Sequence, residues 1–200
     1  MSNVKIAAFD VDGVVVDLSL DWWKFLEHRS SYRVPYDTVS TAYDFGSFYP
    51  DVSTETSHSF WKSRDLYDGR NPIPGCKEAI RRFHENEFHV IFVSHVEGDH
   101  AKSKFEFLKR HFPFMKGYIP TREKAYVQPT IAFDDRVKHL ANYKNIKEDC
   151  LTIQMLTPCD QSDFHGNPLE VVDYHLSHDN WRDDDLIDFL IERATFRVLS

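Results

Sequence analysis

Positive charge is in short supply in this chain of 200 residues: 24 Lys and Arg stand against 32 Asp and Glu, a net charge of −8. That balance argues against broad attraction to nucleic acid or to an anionic membrane surface, both of which favour basic patches. It leaves room for a local basic pocket. Cysteine is scarce too. Cys76, Cys150 and Cys159 are an odd number without metal-type spacing, which reads as cytoplasmic thiols and not as a disulfide framework. No apolar run approaches the ~20 residues of a membrane span. The opening Met-Ser-Asn-Val-Lys lacks the pattern of a signal peptide, and no internal repeat or low-complexity segment is present. Aromatics, in contrast, are plentiful, with 16 Phe, 9 Tyr and 4 Trp. The length suits one domain, or one domain carrying an insertion, with a sizeable core.

The chain is organised around residues 5–17. An unbroken apolar run, Ile6 to Phe9, stops at Asp10 and Asp12; Gly13 follows, then Val14 to Val16. Short continuous apolar runs are expected of strands buried on both faces of a parallel sheet. Phe88–Val93, Thr130–Phe133 and Leu151–Leu156 repeat the pattern, with Gly117–Ile119 a short strand and Val171–Leu176 an edge strand. Helical patterns fall between them, at about 76–84, 99–111 and 137–144, with a last helix from Asn180 to about Ala194. The region 18–70 differs. It holds Trp22, Trp23, Phe25, Tyr43, Phe45, Phe60 and Trp61 among its aromatics. Leu18, Trp22, Phe25 and Leu26 recur at helical spacing, and Asp51-Val-Ser-Thr-Glu resembles a capped helix start. Asn71-Pro-Ile-Pro-Gly75 is strong punctuation. The expectation is an α/β fold: a Rossmann-like parallel sheet with helices on both faces, built from 1–17 and 71–200, with a small helical insertion over 18–70.

In a parallel sheet all carboxyl ends point one way, so Asp10 and Asp12, Ser94, the Lys124 loop, and Asp134 with Asp135 should converge on one crevice. Two carboxylates ~4 Å apart repel by about 4 kcal/mol at an effective dielectric of 20. A divalent cation relieves this, and an all-oxygen site shared with a phosphate suits Mg²⁺. Lys124 adds positive charge, and the Ser94 hydroxyl can hydrogen-bond phosphate oxygens. Singly, each feature has an ordinary reading: a turn for the Asp-x-Asp, a helix cap for Ser94, a solvated side chain for Lys124, a helix start for Asp134-Asp135-Arg136. In conjunction they make a phosphate-monoester site.

Asp10-Val-Asp12-Gly-Val resembles the first motif of the haloacid dehalogenase-like phosphatases, Ser94 the second, Lys124 the third and Asp134-Asp135 the fourth. The stretch from Thr121 to Arg136 is similar to the corresponding segment of the 5′(3′)-deoxyribonucleotidases, as are Asn71–Gly75, Lys104-Phe-Glu-Phe-Leu and the late Trp181. The resemblance implies that Asp10 is a nucleophile forming an aspartyl-phosphate and that Asp12 moves the proton. It further implies Mg²⁺ held by Asp10, the Asp12 carbonyl and one of Asp134 or Asp135, and phosphate held by Ser94 and Lys124. Lys104 resembles a second positive phosphate ligand; His95 either reaches phosphate or caps a helix; Asp17 shapes the turn into the insertion.

By the same resemblance 18–70 is a cap over the site. Its aromatics suit a planar base, with Trp22, Phe45, Phe60 and Trp61 the candidates, although plain core packing is the other reading of each. Leu18 stands where the nucleotidases carry an aromatic. The leading expectation is a Mg²⁺-dependent 5′-nucleotidase acting on nucleoside monophosphates. The alternatives are a phosphatase for another small ester, such as a sugar phosphate, and a silent phosphate-binding scaffold. Neither a membrane nor a long nucleic acid is an expected partner, and a homodimer is compatible with the sequence.

Overall fold

The computed structural model describes residues 4–42, 44–96, 99–157 and 163–199. Tyr43, Cys159 and parts of the loops expected around Glu97 and Pro158 lie outside them. In chain order the elements are β1 (Ile6–Phe9), α1 (Ser19–Glu27), α2 (Tyr36–Val39), α3 (Thr54–Ser59), α4 (Cys76–Glu85), β2 (His89–Ser94), α5 (Ala101–His111), β3 (Gly117–Pro120), β4 (Ile131–Asp134), α6 (Val137–Ile146), β5 (Leu151–Met155), α7 (Pro168–Val171), β6 (Tyr174–Leu176) and α8 (Asp184–Leu199). The six strands form one sheet in the order β3-β2-β1-β4-β5-β6, and every pairing is parallel. β1 lies between β2 and β4, so the strand order reverses there. That switch point is where open α/β sheets leave a crevice beyond their carboxyl ends.

The strands are apolar because both sheet faces are covered. Along β4, Ile131 and Phe133 belong to the large core packed by Phe83 of α4 and by Ile187, Leu190 and Ala194 of α8. Ala132 faces the other way, toward Val137, Leu140 and Tyr143 of α6. Phe9 stacks on Phe133 at 4.7 Å, and Trp181 lies 5.4 Å from the Phe133 ring.

Between β1 and α4 the described residues contain helices and 3₁₀ turns and no strand beyond a single bridge, Asp12 to Val16. Ser53 caps α3 by accepting from the Thr56 N–H at 3.1 Å. Asp17 turns the chain into α1 by accepting from the Ser19 N–H at 2.9 Å. Trp22 stacks on Phe45 at 4.6 Å and meets Trp61 edge-on, while Phe60 packs against Phe25 and Trp61. The Trp22 indole N–H is used on the Ser57 carbonyl.

Two boundaries differ from expectation. The edge strand begins at Tyr174, not Val171, because Asn167 accepts from the Leu169 N–H and Pro168 opens the short helix α7. The last helix begins at Asp184, not Asn180, because Ser177 and Asn180 form a capping box around a 3₁₀ turn, 178–182. Asp184 and Asp185 remain in the first turn of α8, where the helix dipole favours acids. No helix among the described residues is long and apolar enough to cross a membrane.

Candidate active site

The site grows out of the turn after β1. The Asp10 N–H donates to the Phe133 carbonyl at 2.9 Å, extending the β1–β4 ladder by one residue. The chain then folds on itself, with the Val15 and Val16 N–H groups on the Val11 carbonyl and the Gly13 N–H on the Val16 carbonyl. Val11, Val14, Val15 and Val16 are all buried, so the apolar run after Gly13 fixes a tight loop. Gly13 is required twice over. Its φ is +74°, and a Cβ there would sit 2.9 Å from Asp135 Oδ2. The C-terminal segment clamps the loop from behind: the His178 Nε2–H donates to the Gly13 carbonyl at 2.8 Å, and the Trp181 indole N–H to the Val14 carbonyl at 3.0 Å. Gly75, at φ +90°, lets the return from the insertion approach the Trp181 main chain, where a Cβ would lie 3.0 Å away.

Two ammonium groups divide the acids between them. Lys124, from the 3₁₀ turn 124–127, bridges Asp10 Oδ2 and Asp134 Oδ2, each at 2.7 Å. Asp134 uses its other oxygen on the Arg136 N–H at 3.0 Å and on His139 Nδ1 at 2.9 Å. Lys104, from α5, donates to Asp12 Oδ2 at 2.8 Å, to Ser94 Oγ at 3.0 Å and to the His95 carbonyl at 3.0 Å. The remaining Asp12 oxygen, Oδ1, accepts the Tyr67 hydroxyl at 2.6 Å.

These environments separate the carboxyls. Burial raises Asp10, more than the adjacent Lys124 lowers it, with Asp134 and Asp12 adding to the rise. Asp12 is also penalised by burial, but Lys104 and the Tyr67 hydrogen bond outweigh this and hold it below the usual carboxylate range. Burial is overcome at Asp134 by Lys124 and His139, which hold it low. Asp135 is driven well up by burial and by the nearby Asp134 and Asp10. Lys124 is held protonated by Asp10 and Asp134 despite its own burial. Pairs of carboxyls pushed in opposite directions are the usual mark of divided acid–base roles.

The structure brings together Asp10, Asp12, Ser94, Lys104, Lys124, Asp134 and Asp135. Lys104 stands inside the cluster as expected, its three N–H groups directed to Asp12, Ser94 and the His95 carbonyl. His95 lies at the rim, its Nδ1 accepting from Arg122 Nε at 3.4 Å. Of the aromatic candidates, Trp22, Phe45 and Phe60 are buried in the packing of the insertion, which is the plain reading of each; Trp61 is half-buried. Tyr67, His139 and His178 escaped sequence reasoning. None sits in a motif, and only Tyr67, an aromatic just before the Asn71–Gly75 punctuation, carried any signal.

Asp10, Asp134 and His139 form a group whose ligand atoms lie within 4.8 Å of one another, as a metal site requires. Both Asp134 oxygens are already engaged, however, by Lys124, His139 and Arg136. Chemically the cluster offers two buried carboxyls, Asp10 and Asp12, in different environments, with further acids beside them.

A parallel sheet with this cluster at its switch point defines a haloacid dehalogenase-like hydrolase. The model of the family "5′ nucleotidase, deoxy (pyrimidine), cytosolic type C protein (NT5C)" matches residues 4–193, and the chain belongs to that family. It is a hydrolase of phosphate monoesters. It is 24% identical to the 5′(3′)-deoxyribonucleotidase of Bacillus subtilis (strain 168), over 72% of this chain and 83% of that one. The mitochondrial 5′(3′)-deoxyribonucleotidase of Mus musculus is 23% identical over 64% of this chain and 62% of its own. Among solved structures, a HAD family hydrolase from Deinococcus radiodurans R1, with bound phosphate and sodium, superposes with a TM-score of 0.58 at 12% identity. That match covers 96% of this chain and 98% of the other; it speaks for the fold.

Proposed function

We propose that this protein is a Mg²⁺-dependent 5′-nucleotidase, hydrolysing (deoxy)ribonucleoside monophosphates through an aspartyl-phosphate on Asp10. The observation that carries the reading is the contrast between two aspartates one residue apart. Asp10 is bridged by Lys124 to Asp134, whereas Asp12 is held by Lys104 and Tyr67.

The residues fit a dication. Asp10 and Asp134 share the single ammonium of Lys124, and Asp10 and Asp135 are both raised, by burial first and then by the acids around them. The donors are all oxygen, which suits Mg²⁺. The ion would be held by Asp10, the Asp12 main-chain carbonyl and one carboxylate of the Asp134/Asp135 pair. When bound, Mg²⁺ supplies charge neutralisation for the phosphate and for the carboxylates around it.

The chain's own groups do the rest. Lys124 keeps Asp10 ionised and directs an ammonium toward phosphoryl oxygens. Asp10 Oδ attacks phosphorus, and the P–O bond to the leaving group breaks. Asp12 gives its proton to the leaving alkoxide, then takes one from the water that hydrolyses the aspartyl-phosphate. Ser94 hydrogen-bonds a phosphoryl oxygen, and residues 18–70 act as the cap that excludes water, with Trp61 its base-contacting aromatic. Buried free thiols at Cys76 and Cys150 suit a cytoplasmic setting.

A second reading, a phosphatase for another small ester, is favoured by one observation: Trp22 stacks on Phe45 and Phe60 packs against Phe25 and Trp61, so of the four aromatic candidates Trp61 alone is part-exposed to meet a base. A panel of 5′- and 3′-ribo- and deoxyribonucleotides, sugar phosphates and p-nitrophenyl phosphate, with Mg²⁺ or EDTA, decides between them. We expect the highest kcat/KM on nucleoside monophosphates and no turnover in EDTA. Trp61→Ala should lower kcat/KM on nucleotides about tenfold, a typical loss of one stacking contact, and spare p-nitrophenyl phosphate. A preference for sugar phosphates would select the second reading.

A further inference from the structure

Asp12 is gripped from two sides by groups of different chemistry. Oδ2 accepts from the Lys104 ammonium, which has three donors and no acceptor. A proton on Oδ2 would point at that ammonium, with nothing to receive it. Oδ1 accepts from the Tyr67 hydroxyl at 2.6 Å, and a phenol both donates and accepts.

We propose that Tyr67 is a positioning residue for the proton-transfer carboxyl: its hydroxyl, donating to Oδ1 opposite the Lys104 grip on Oδ2, fixes the plane of the Asp12 carboxyl so that Oδ1 is aimed at the leaving oxygen. With Asp12 ionised, the Tyr67 O–H donates to Oδ1. When Oδ1 carries the proton, that O–H faces the leaving oxygen while the Tyr67 hydroxyl still donates to the remaining lone pair of Oδ1. One proton leaves Oδ1 for the leaving alkoxide in the first half of the reaction. One returns from the attacking water in the second, and Tyr67 stays a neutral phenol throughout. This inference rests on the reading of Asp12 as the proton-transfer group.

The phenol is built into place. Tyr67 is fully buried, and its N–H donates to Ser103 Oγ at 3.3 Å. Ser103 neighbours Lys104 on α5, and the Lys104 ammonium lies 5.0 Å above the Tyr67 ring. Both hands on Asp12 are thus tied to one helix. The His100 ring lies 5.6 Å from the Tyr67 ring, itself fixed by its Nδ1–H to the Trp61 carbonyl at 2.6 Å. That carbonyl belongs to the aromatic insertion, so the insertion is linked through His100 and Tyr67 to Asp12.

The test is Tyr67→Phe, which keeps the ring and removes only the oxygen, assayed as kcat/KM on a series of aryl phosphates from p-nitrophenyl to phenyl phosphate. These substrates share a shape and differ in how much the departing oxygen needs a proton. We expect less than a twofold loss on p-nitrophenyl phosphate and about a tenfold loss on phenyl phosphate, the scale of one hydrogen bond to a charged group. The dependence on leaving group should therefore steepen. An equal loss across the series, or none, would overturn the inference, since a packing role moves all substrates together. A wild-type protein inactive on every phosphate monoester would overturn the nucleotidase reading as well. A melting temperature for Tyr67→Phe, expected within a few degrees of wild type, separates loss of fold from loss of proton control, and Tyr67→Leu, lacking ring and oxygen, should show at least the same steepening.

Discussion

Two aspartate clusters sit at opposite edges of the same sheet, and they are built on opposite charge balances. At the amino edge, Asp173 meets two cations, Lys144 at 2.8 Å and Arg197 at 3.1 Å, and also accepts the Thr152 N–H at 2.8 Å. Its carboxyl is held low, because those partners outweigh its burial. At the carboxyl edge, Asp10, Asp12 and Asp134 share the ammonium groups of Lys104 and Lys124, with Asp135 beside them. There Asp10 and Asp135 are raised. The amino-edge cluster is complete as it stands and ties β5 and β6 to α6 and α8. The carboxyl-edge cluster gathers its acids under burial that raises two of them, and that unequal treatment of neighbouring carboxyls sets it apart from the amino edge. Proximity of charged groups is common to both; the balance between signs separates them.

The strongest way to break this comparison is Asp10→Asn. If the carboxyl edge is built for reaction, losing the nucleophile should lower kcat by at least about 10³-fold. Because burial and its acidic neighbours disfavour the Asp10 charge in the folded state, neutralising it should not lower the stability of the metal-free protein. Urea unfolding in EDTA, beside steady-state rates with Mg²⁺, reads both quantities. Substantial residual turnover, or a stability loss of several kcal/mol, would put Asp10 in a structural role like that of Asp173.

How much of this was legible beforehand depends on the range of the interaction. β1, β2, β4 and β5 announced themselves as continuous apolar runs, because both faces of a parallel sheet are buried. Their ends then located Asp10, Asp12, Ser94 and Asp134 by topology alone. Lys124 followed from its place before β4. What failed was partner choice. Lys104 lies 92 residues from Asp12, and no pattern says that its three donors are taken by Asp12, Ser94 and the His95 carbonyl. Asp134 and Asp135 are neighbours in sequence, yet one ends β4 against Lys124 and His139 while the other turns toward Gly13. The aromatics of 18–70 could not be sorted into core and site, since Trp22 and Trp61 share a composition and differ only in what covers them. Tyr67 was one tyrosine in nine until its hydroxyl was seen on Asp12.

A smaller test acts on the other member of the pair. Asp173→Asn removes a half-buried acceptor of one main-chain N–H and two cations, and should cost about 2 kcal/mol, as lost hydrogen bonds to charged groups do. Activity should be unchanged. A loss of activity without a loss of stability would mean that the amino edge communicates with the site.

The finest distinction is in the response to acid. Asp173 has a folded value below its unfolded one, which is about 3.9. The stability it contributes is therefore complete above that pH and fades as pH falls through the folded value. Asp10 and Asp135 have the opposite sign. Their folded values lie above the unfolded one, so their charges oppose folding near neutrality, and this opposition disappears as pH falls through the folded values toward 3.9 or so. In metal-free wild-type protein the two edges should pull the stability–pH curve in opposite directions, in separate windows. Asp135→Asn should flatten the curve above about pH 4, and Asp173→Asn should flatten it below. Measured by urea titration at half-unit steps, effects of the same sign in the same window would show that both clusters carry the same charge balance, and the contrast between the edges would be lost.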